Sequence, residues 1–415
     1  MDYKTQLSVA EAITLIQQEA HKVRPSSHAT ALTQSFGRIL AKDLRSKVAH
    51  PSLDNSALDG YACRADDTAH ASQDNPVTLN VIGDVPAGAV FSGELGVGEA
   101  LSIYTGAPVP AGADAVIRVE DTVKDTGREG NTVKLFAPAS AGDIRKRGQD
   151  FEVGAPLLKK GTRLDAASIA VAAAMGHAQL PVLQKPRIGI LATGDEVIEP
   201  GQSIRDGQVY NSNSYALVGL VRSAGGKAVL LPNVEDDKEK LESTLAATQN
   251  LDLLLTSGGV SMGKYDFVRD LLFEDGTVHF WKVAMKPAGP VLFGQWRDLP
   301  VLGLPGNPVS SMIAFLILAK AFIHTALGAT EPLPYYRRQK AVTDVPLKSA
   351  GFKKTFIRLV AKQNEDGKLH VNTTGNQNSG VLTSMLYANA LAVVPPHTQY
   401  AAGDELEVIS LTPFL

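Results

Sequence analysis

The 415-residue chain carries 40 Lys and Arg against 43 Asp and Glu, a formal net charge of −3, with 44% hydrophobic residues. This is enough apolar material for two to four cored domains, and too little net charge to favour nucleic acid or an anionic membrane. The lone cysteine, Cys63, excludes intrachain disulfides and cysteine-rich zinc sites. With no basic-then-apolar start and no uninterrupted apolar run near the roughly 18 residues of a span, the chain reads as soluble and cytoplasmic.

The first pattern is helical. Val9, Ile13, Leu15 and Ile16 recur at helix spacing between about Leu7 and Glu19, and Ser8 with Glu11 forms a capping box. A second helical piece is expected to run to Ala41. From Pro51 to about Pro138, Pro and Gly punctuate short β-branched runs such as Val77–Ile82 and Asp114–Val119, which predicts a β-rich insertion. Residues 162–175 return to helix, with Ala166, Ile169, Ala170 and Ala173 on one side. The economical reading is a helical elongated domain, 1–50 with 139–184, interrupted by a β-rich domain at 51–138.

After Lys185-Pro186 the pattern changes to alternating strand and helix, giving an α/β domain at 185–330. The runs at 187–192, 227–231, 251–255 and 300–304 are apolar throughout, as in a parallel-rich sheet covered on both faces. Three turn-rich loops lie at or near the ends of these strands: Thr193-Gly194-Asp195-Glu196, Thr256-Ser257-Gly258-Gly259 and Pro305-Gly306-Asn307-Pro308. Such loops collect outside the carboxyl edge of the sheet, where ligands bind. Around the second, three glycines and three hydroxyl residues from Thr256 to Gly263 could turn backbone N–H groups toward an oxyanion, although the loop taken alone favours a plain strand-to-helix turn. The final 331–415 segment reads as strands broken by Gly, Asn and Pro, resembling a small β-barrel.

Several stretches together carry a resemblance: Asp54-Asn55-Ser56-Ala57-Leu58-Asp59-Gly60-Tyr61-Ala62, Thr105-Gly106-Ala107-Pro108, Arg147-Gly148-Gln149-Asp150, Thr193-Gly194-Asp195-Glu196, Ser257-Gly258-Gly259-Val260-Ser261, Lys282 with Lys286-Pro287, and Gly303 through Ser310. In this order the chain resembles the MoeA family of molybdopterin molybdenumtransferases, related to the E domain of gephyrin. The resemblance implies a molybdopterin-binding α/β domain and a homodimer with a shared cleft. It also implies a reaction in which adenylylated molybdopterin and molybdate give the molybdenum cofactor and AMP with Mg2+, and an upstream molybdopterin adenylyltransferase as partner. A non-catalytic pterin-binding scaffold of the gephyrin type and a nucleotide hydrolase are the alternatives.

The resemblance gives catalytic weight to Asp59, Thr105, Asp150, Glu196, Asp236 and Asp266, with Asp59, Asp150 and Glu196 as Mg2+ ligands. From the residues alone, Asp59 reads as a turn residue, Asp236 and Asp266 as helix caps, and the pair Asp54 and Asp59 as a conceivable hard-oxygen site. Substrate contacts fall on Ser257, Gly258, Gly259, Ser261, Lys282, Lys286, Pro305, Pro308, Arg358 and Ser379. Two nearby ammonium groups, Lys282 and Lys286, suit multiply anionic molybdate and phosphoanhydride. The family usually carries a further lysine where this chain has Gly289, in Lys286-Pro287-Ala288-Gly289-Pro290. Asn307 before Pro308 reads as an N-cap whose helix start offers N–H groups to an anion.

Overall fold

The computed structural model describes residues 4–125, 131–235, 237–260, 266–333 and 337–411. At its centre is a seven-stranded sheet in the order Lys4–Leu7, Gly276–Val283, Leu292–Trp296, Leu299–Leu304, Leu253–Ser257, Arg187–Ala192, Lys227–Leu230. The four apolar runs pair in parallel, Ile188 with Leu253 and Leu254 with Val301, and Leu292–Trp296 runs antiparallel between its neighbours. Period-two alternation then loads both faces. Ile188, Ile190, Leu253, Leu255, Leu302 and Leu304 meet the helices Val9–Ala20, Ser212–Ser223 and the long run beginning at Pro308. Leu191, Leu254 and Val301 meet Leu241, Leu245, Val268 and Leu271 on the opposite side. Fully burying each such side chain is worth about 1.5–3 kcal/mol, so the sheet is the rigid frame of the molecule.

The N-terminal segment belongs to this frame and not to the neighbouring domain. Lys4 pairs in parallel with Phe280 and Leu7 with Val283, while Ile13 and Ile16 are fully buried in the core of the sheet. The capping box forms as expected: Ser8 N–H donates to Glu11 Oε2 at 2.9 Å and Glu11 N–H to Ser8 Oγ at 3.3 Å. The helix expected up to Ala41 is absent. Ser27–Ala31 is instead a strand antiparallel to Gln179–Leu183, followed by a single 3-10 turn at Leu32–Gln34. Pairing with a distant strand outweighs the local spacing.

Residues 21–50 and 139–184, without the N-terminal strand and helix, therefore make a unit of two-stranded pairs with one α-helix, Ala166–Ala174. Its buried side is Ala172, followed by Met175, while Ala166, Ala170 and Ala173 are exposed and Ile169 half-buried. Alanines all round gave no clear stripe to read. The insertion is a six-stranded sheet, Ala115–Arg118, Gly60–Cys63, Glu99–Ile103, Val77–Val85, Thr132–Leu135, Thr122–Asp125. In its core Cys63 is an apolar filler, its thiol pushed up to about 12 by burial.

At the C-terminus, Lys354–Gln363, Leu369–Thr373, Gln339–Thr343, Glu405–Ser410 and Ala390–Val394 form a sheet that closes on itself as a barrel, Thr355 pairing with Val394. The barrel is also tied to the α/β domain, because Met285 and Lys286 pair in parallel with Lys354 and Thr355. The helical stretch Pro308–Ala326 is long and apolar enough to cross a membrane, but 78% of its most apolar window is buried within the protein, where it packs under the sheet.

Candidate active site

Three loops converge at the carboxyl edge of the sheet, as the sequence suggests. Thr193 N–H reaches Ser257 O at 3.4 Å, Gly258 N–H donates to Leu304 O at 3.0 Å, and Gly306 packs against Gly258. Gly258 and Gly259 hold φ of +102° and +69°, and a Cβ on either would press on Thr193 Oγ1 at 3.2 Å. Only glycine passes through both positions without strain. Ser257 is buried and accepts from Asn213 Nδ2 at 2.8 Å, which also donates to Gly306 O at 2.7 Å. The Thr193 and Thr256 hydroxyls are buried without a partner among the described residues.

Glu196 is exposed and folds back so far that a Cβ on Gly194 would lie 2.5 Å from its Oε2. Asp266 is buried at the N-cap of Phe267–Glu274 but makes no capping bond; its Oδ2 lies 4.0 Å from Arg269, whose N–H donates to Gly259 O at 3.1 Å. Lys282 lies 4.5 Å over the Trp281 ring, and Trp281 Nε1 donates to Val260 O at 3.2 Å, so this lysine flanks the glycine loop. Ser261 and Asp236 lie outside the described residues. The cap assigned to Asp236 belongs to Asp237, whose Oδ1 accepts from Lys240 N–H at 3.0 Å.

A second region lies where the α/β domain meets the barrel, a cleft of about 980 Å³. Lys286, Pro305, Arg358 and Ser379 all line it, together with Lys348 and Lys353. No Asp or Glu does among the described residues. Arg358 is 1% exposed, its Nη2 donating to Asn376 O and Asn378 O at 3.2 Å each, while its Nε finds no partner among the described residues. Burial pushes its pKa down, yet a guanidinium stays charged. Pro308 opens the helix Pro308–Ala314 after Asn307, which caps by position but not by side chain. The helix start is less open to anions than expected, since Val309 N–H donates to Ser379 O at 3.2 Å and Pro308 has no N–H.

The third region is on the insertion. Asn55–Ser56 pairs with Ile144–Arg145, and Gly106 N–H donates to Ser56 O at 2.9 Å, so the three motifs around Asp59, Thr105 and Asp150 become neighbours. Asp59 is exposed and Oδ1 accepts from both Thr105 N–H, 2.7 Å, and Thr105 Oγ1, 2.8 Å, which hold its pKa below the usual carboxylate value. It is not a self-satisfied turn residue. Asp54 is spoken for by Arg147 N–H at 2.7 Å and Lys146 Nζ at 2.9 Å, which weakens it as a metal ligand. Asp150 lines a separate cleft of about 420 Å³ with His50, Pro51, Asn55, Arg145 and Gln149.

With this geometry in view, known proteins place the chain. Residues 7–176 match the MoeA N-terminal region (domain I and II), 189–325 the probable molybdopterin binding domain, and 340–411 the MoeA C-terminal region (domain IV). The chain belongs to the MoeA family. It is 36% identical over 414 residues to molybdopterin molybdenumtransferase 2 of Mycobacterium tuberculosis, covering 98% of this chain and 100% of that one. Against the molybdopterin molybdenumtransferase of Bacillus subtilis the identity is 35% over 383 residues, covering 91% and 88%. The crystal structure of the molybdopterin biosynthesis moeA protein from Pyrococcus horikoshii OT3 superposes with a TM-score of 0.80 at 30% identity, covering 97% and 99%.

Within this MoeA chain the acids expected to hold Mg2+ are not gathered. Among the described residues no three His, Cys, Asp or Glu side chains form a metal-holding group; Asp59 sits on the insertion, Asp150 beside it in the 139–184 segment, and Glu196 at the sheet edge. Two contributors escaped the sequence reading. Asn213, which clamps the glycine loop to Gly306, stands far from both in sequence. Lys353 becomes part of the site only because the barrel docks beside Lys286.

Proposed function

We propose that this chain is a molybdopterin molybdenumtransferase acting in molybdenum cofactor biosynthesis. In this reading it takes adenylylated molybdopterin, supplied by a molybdopterin adenylyltransferase, inserts molybdate at the dithiolene, and releases AMP. The observation that carries the proposal is the cleft where Lys286, Lys348, Lys353 and Arg358 converge with no acid among its described lining residues; Pro305 lines it, and the next residue, Gly306, packs against Gly258 of the glycine loop. Cations suit molybdate, and the loop suits the pterin phosphate.

The chain's own groups then divide the work. Ser257, Gly258 and Gly259 approach the phosphate closely, and the cleft concentrates molybdate and neutralises its charge. As AMP leaves, the bridging P–O bond breaks and a water oxygen takes its place on phosphorus; Asp59, kept ionised by Thr105, is suited to orient that water. Among the described residues, the carboxylates of one chain alone do not make a three-ligand magnesium site. The reading therefore includes a cytoplasmic homodimer in which Asp59 and Asp150 of one protomer face Glu196 of the other. Magnesium bound there would supply neutralisation of phosphoanhydride charge.

The test is to incubate purified protein with adenylylated molybdopterin and Mg2+, with and without molybdate, and to follow AMP. Molybdate-stimulated AMP release is expected. Tight pterin binding without any AMP release would instead favour the scaffold alternative.

A further inference from the structure

Of the two lysines in the cleft that the sequence reading leaves unassigned, Lys353 has a structural reason to be there. Gly289 lies in the turn between Met285–Lys286 and the strand Leu292–Trp296. A Cβ on Gly289 would meet Met285 O at 3.4 Å, Val283 O at 3.7 Å and Lys353 Nζ at 3.8 Å. The space left by the absent side chain is thus bordered by an ammonium group arriving from the barrel.

Its position is fixed by its backbone. Lys353 N–H donates to Ala350 O at 3.2 Å, and its carbonyl accepts from Thr355 Oγ1 at 3.1 Å. Thr355 is the ladder partner of Lys286, so the two lysines are carried by one parallel pairing. Lys353 is half-buried, and no ion pair joins Lys286, Lys348 or Lys353 to an acid among the described residues. Beside them Arg358 keeps a buried Nε–H without a described partner. Like charges brought together in a partly desolvated cleft repel unless a counter-ion sits among them.

We propose that Lys353 is an anion-binding residue of this cleft, placing beside Lys286 an ammonium from the barrel, and that its ligand is a tetrahedral oxyanion dianion. The identity of that ligand as molybdate rests on the function proposed above. Gly289 is then the seat for a cation supplied from another domain, and not the loss of one.

The full-length protein is titrated with sodium molybdate at low ionic strength by calorimetry, as wild type, Lys353→Ala, Lys353→Arg, Gly289→Lys and the double variant. Loss of one charge-assisted hydrogen bond predicts molybdate binding weakened about tenfold or more in Lys353→Ala, largely kept in Lys353→Arg. In AMP release the same variant raises the KM for molybdate and leaves the KM for adenylylated molybdopterin within about twofold. Gly289→Lys alone adds a cation to the cleft and leaves binding at least as tight as in the wild type, and in the Lys353→Ala background it restores much of what was lost. Molybdate binding at wild-type strength in Lys353→Ala overturns the assignment, as does loss of adenylylated molybdopterin or inorganic phosphate with molybdate retained. A wild-type protein that binds neither molybdate nor tungstate overturns the anion cleft itself, a result distinct from failure of Lys353 alone.

Discussion

The acids on the insertion and the cations at the domain junction are handled in opposite ways. Asp54 and Asp59 are each held by donors of their own chain, Lys146 with Arg147 and Thr105 respectively. Lys286, Lys348, Lys353 and Arg358 share a cleft with no carboxylate among its described lining residues. The acids can stand fixed and ionised with nothing bound, whereas the cations are left for something that arrives. A reaction that handles an oxyanion and a phosphoanhydride needs both kinds of group, and one chain keeps them apart.

The sharpest way to break this contrast is Asp59→Asn. With the side chain exposed, the fold should survive, and turnover should fall by roughly two to three orders of magnitude if Asp59 touches the reacting water. AMP release beside a thermal melt separates the two, and a variant that melts early with normal specific activity would make Asp59 structural. Next is Arg358→Ala, which strands the carbonyls of Asn376 and Asn378 and opens a cavity. A loss of about 2–4 kcal/mol in chemical denaturation is expected, with a raised molybdate requirement.

A smaller effect is expected of Thr105→Val. It removes one of two donors that depress the Asp59 pKa, so that pKa rises toward the ordinary carboxylate value. Because the ionised form is the one needed, the acid limb of the pH–rate profile should move to higher pH. Thr105 also contributes stability through Asp59 that is present above the ordinary carboxylate pKa and lost as pH falls through the depressed one. The smallest change is assigned to Lys282→Ala. With its half-buried side chain's ammonium over the Trp281 ring and outside the cleft lining, molybdate dependence should shift by no more than about threefold.

Much of the sheet could be read in advance because its strands are short runs of Leu, Ile and Val bounded by Gly and Pro, and fully covered strands need no other signal. The convergence of the Thr193, Ser257 and Pro305 loops follows from parallel order alone. What stayed hidden depends on pairing across long separations. Ser27–Ala31 offered a mixed run that only Gln179–Leu183 makes a strand. Asn213 and Lys353 are ordinary polar residues until the fold sets them beside Gly306 and Gly289. The capping reading failed at Asp266 for a local reason, since the Arg269 N–H that a cap would take donates to Gly259 O instead.

The strand Lys4–Leu7 also affects how the chain is made. Its parallel partner, Phe280 through Val283, emerges from the ribosome only after most of the polypeptide. Until then Ile13 and Ile16, on the helix that follows, lack the sheet face that buries them, so this stretch stays apolar and uncovered during synthesis. A proline placed within Lys4–Leu7 would be felt late in synthesis, when the sheet takes in that edge.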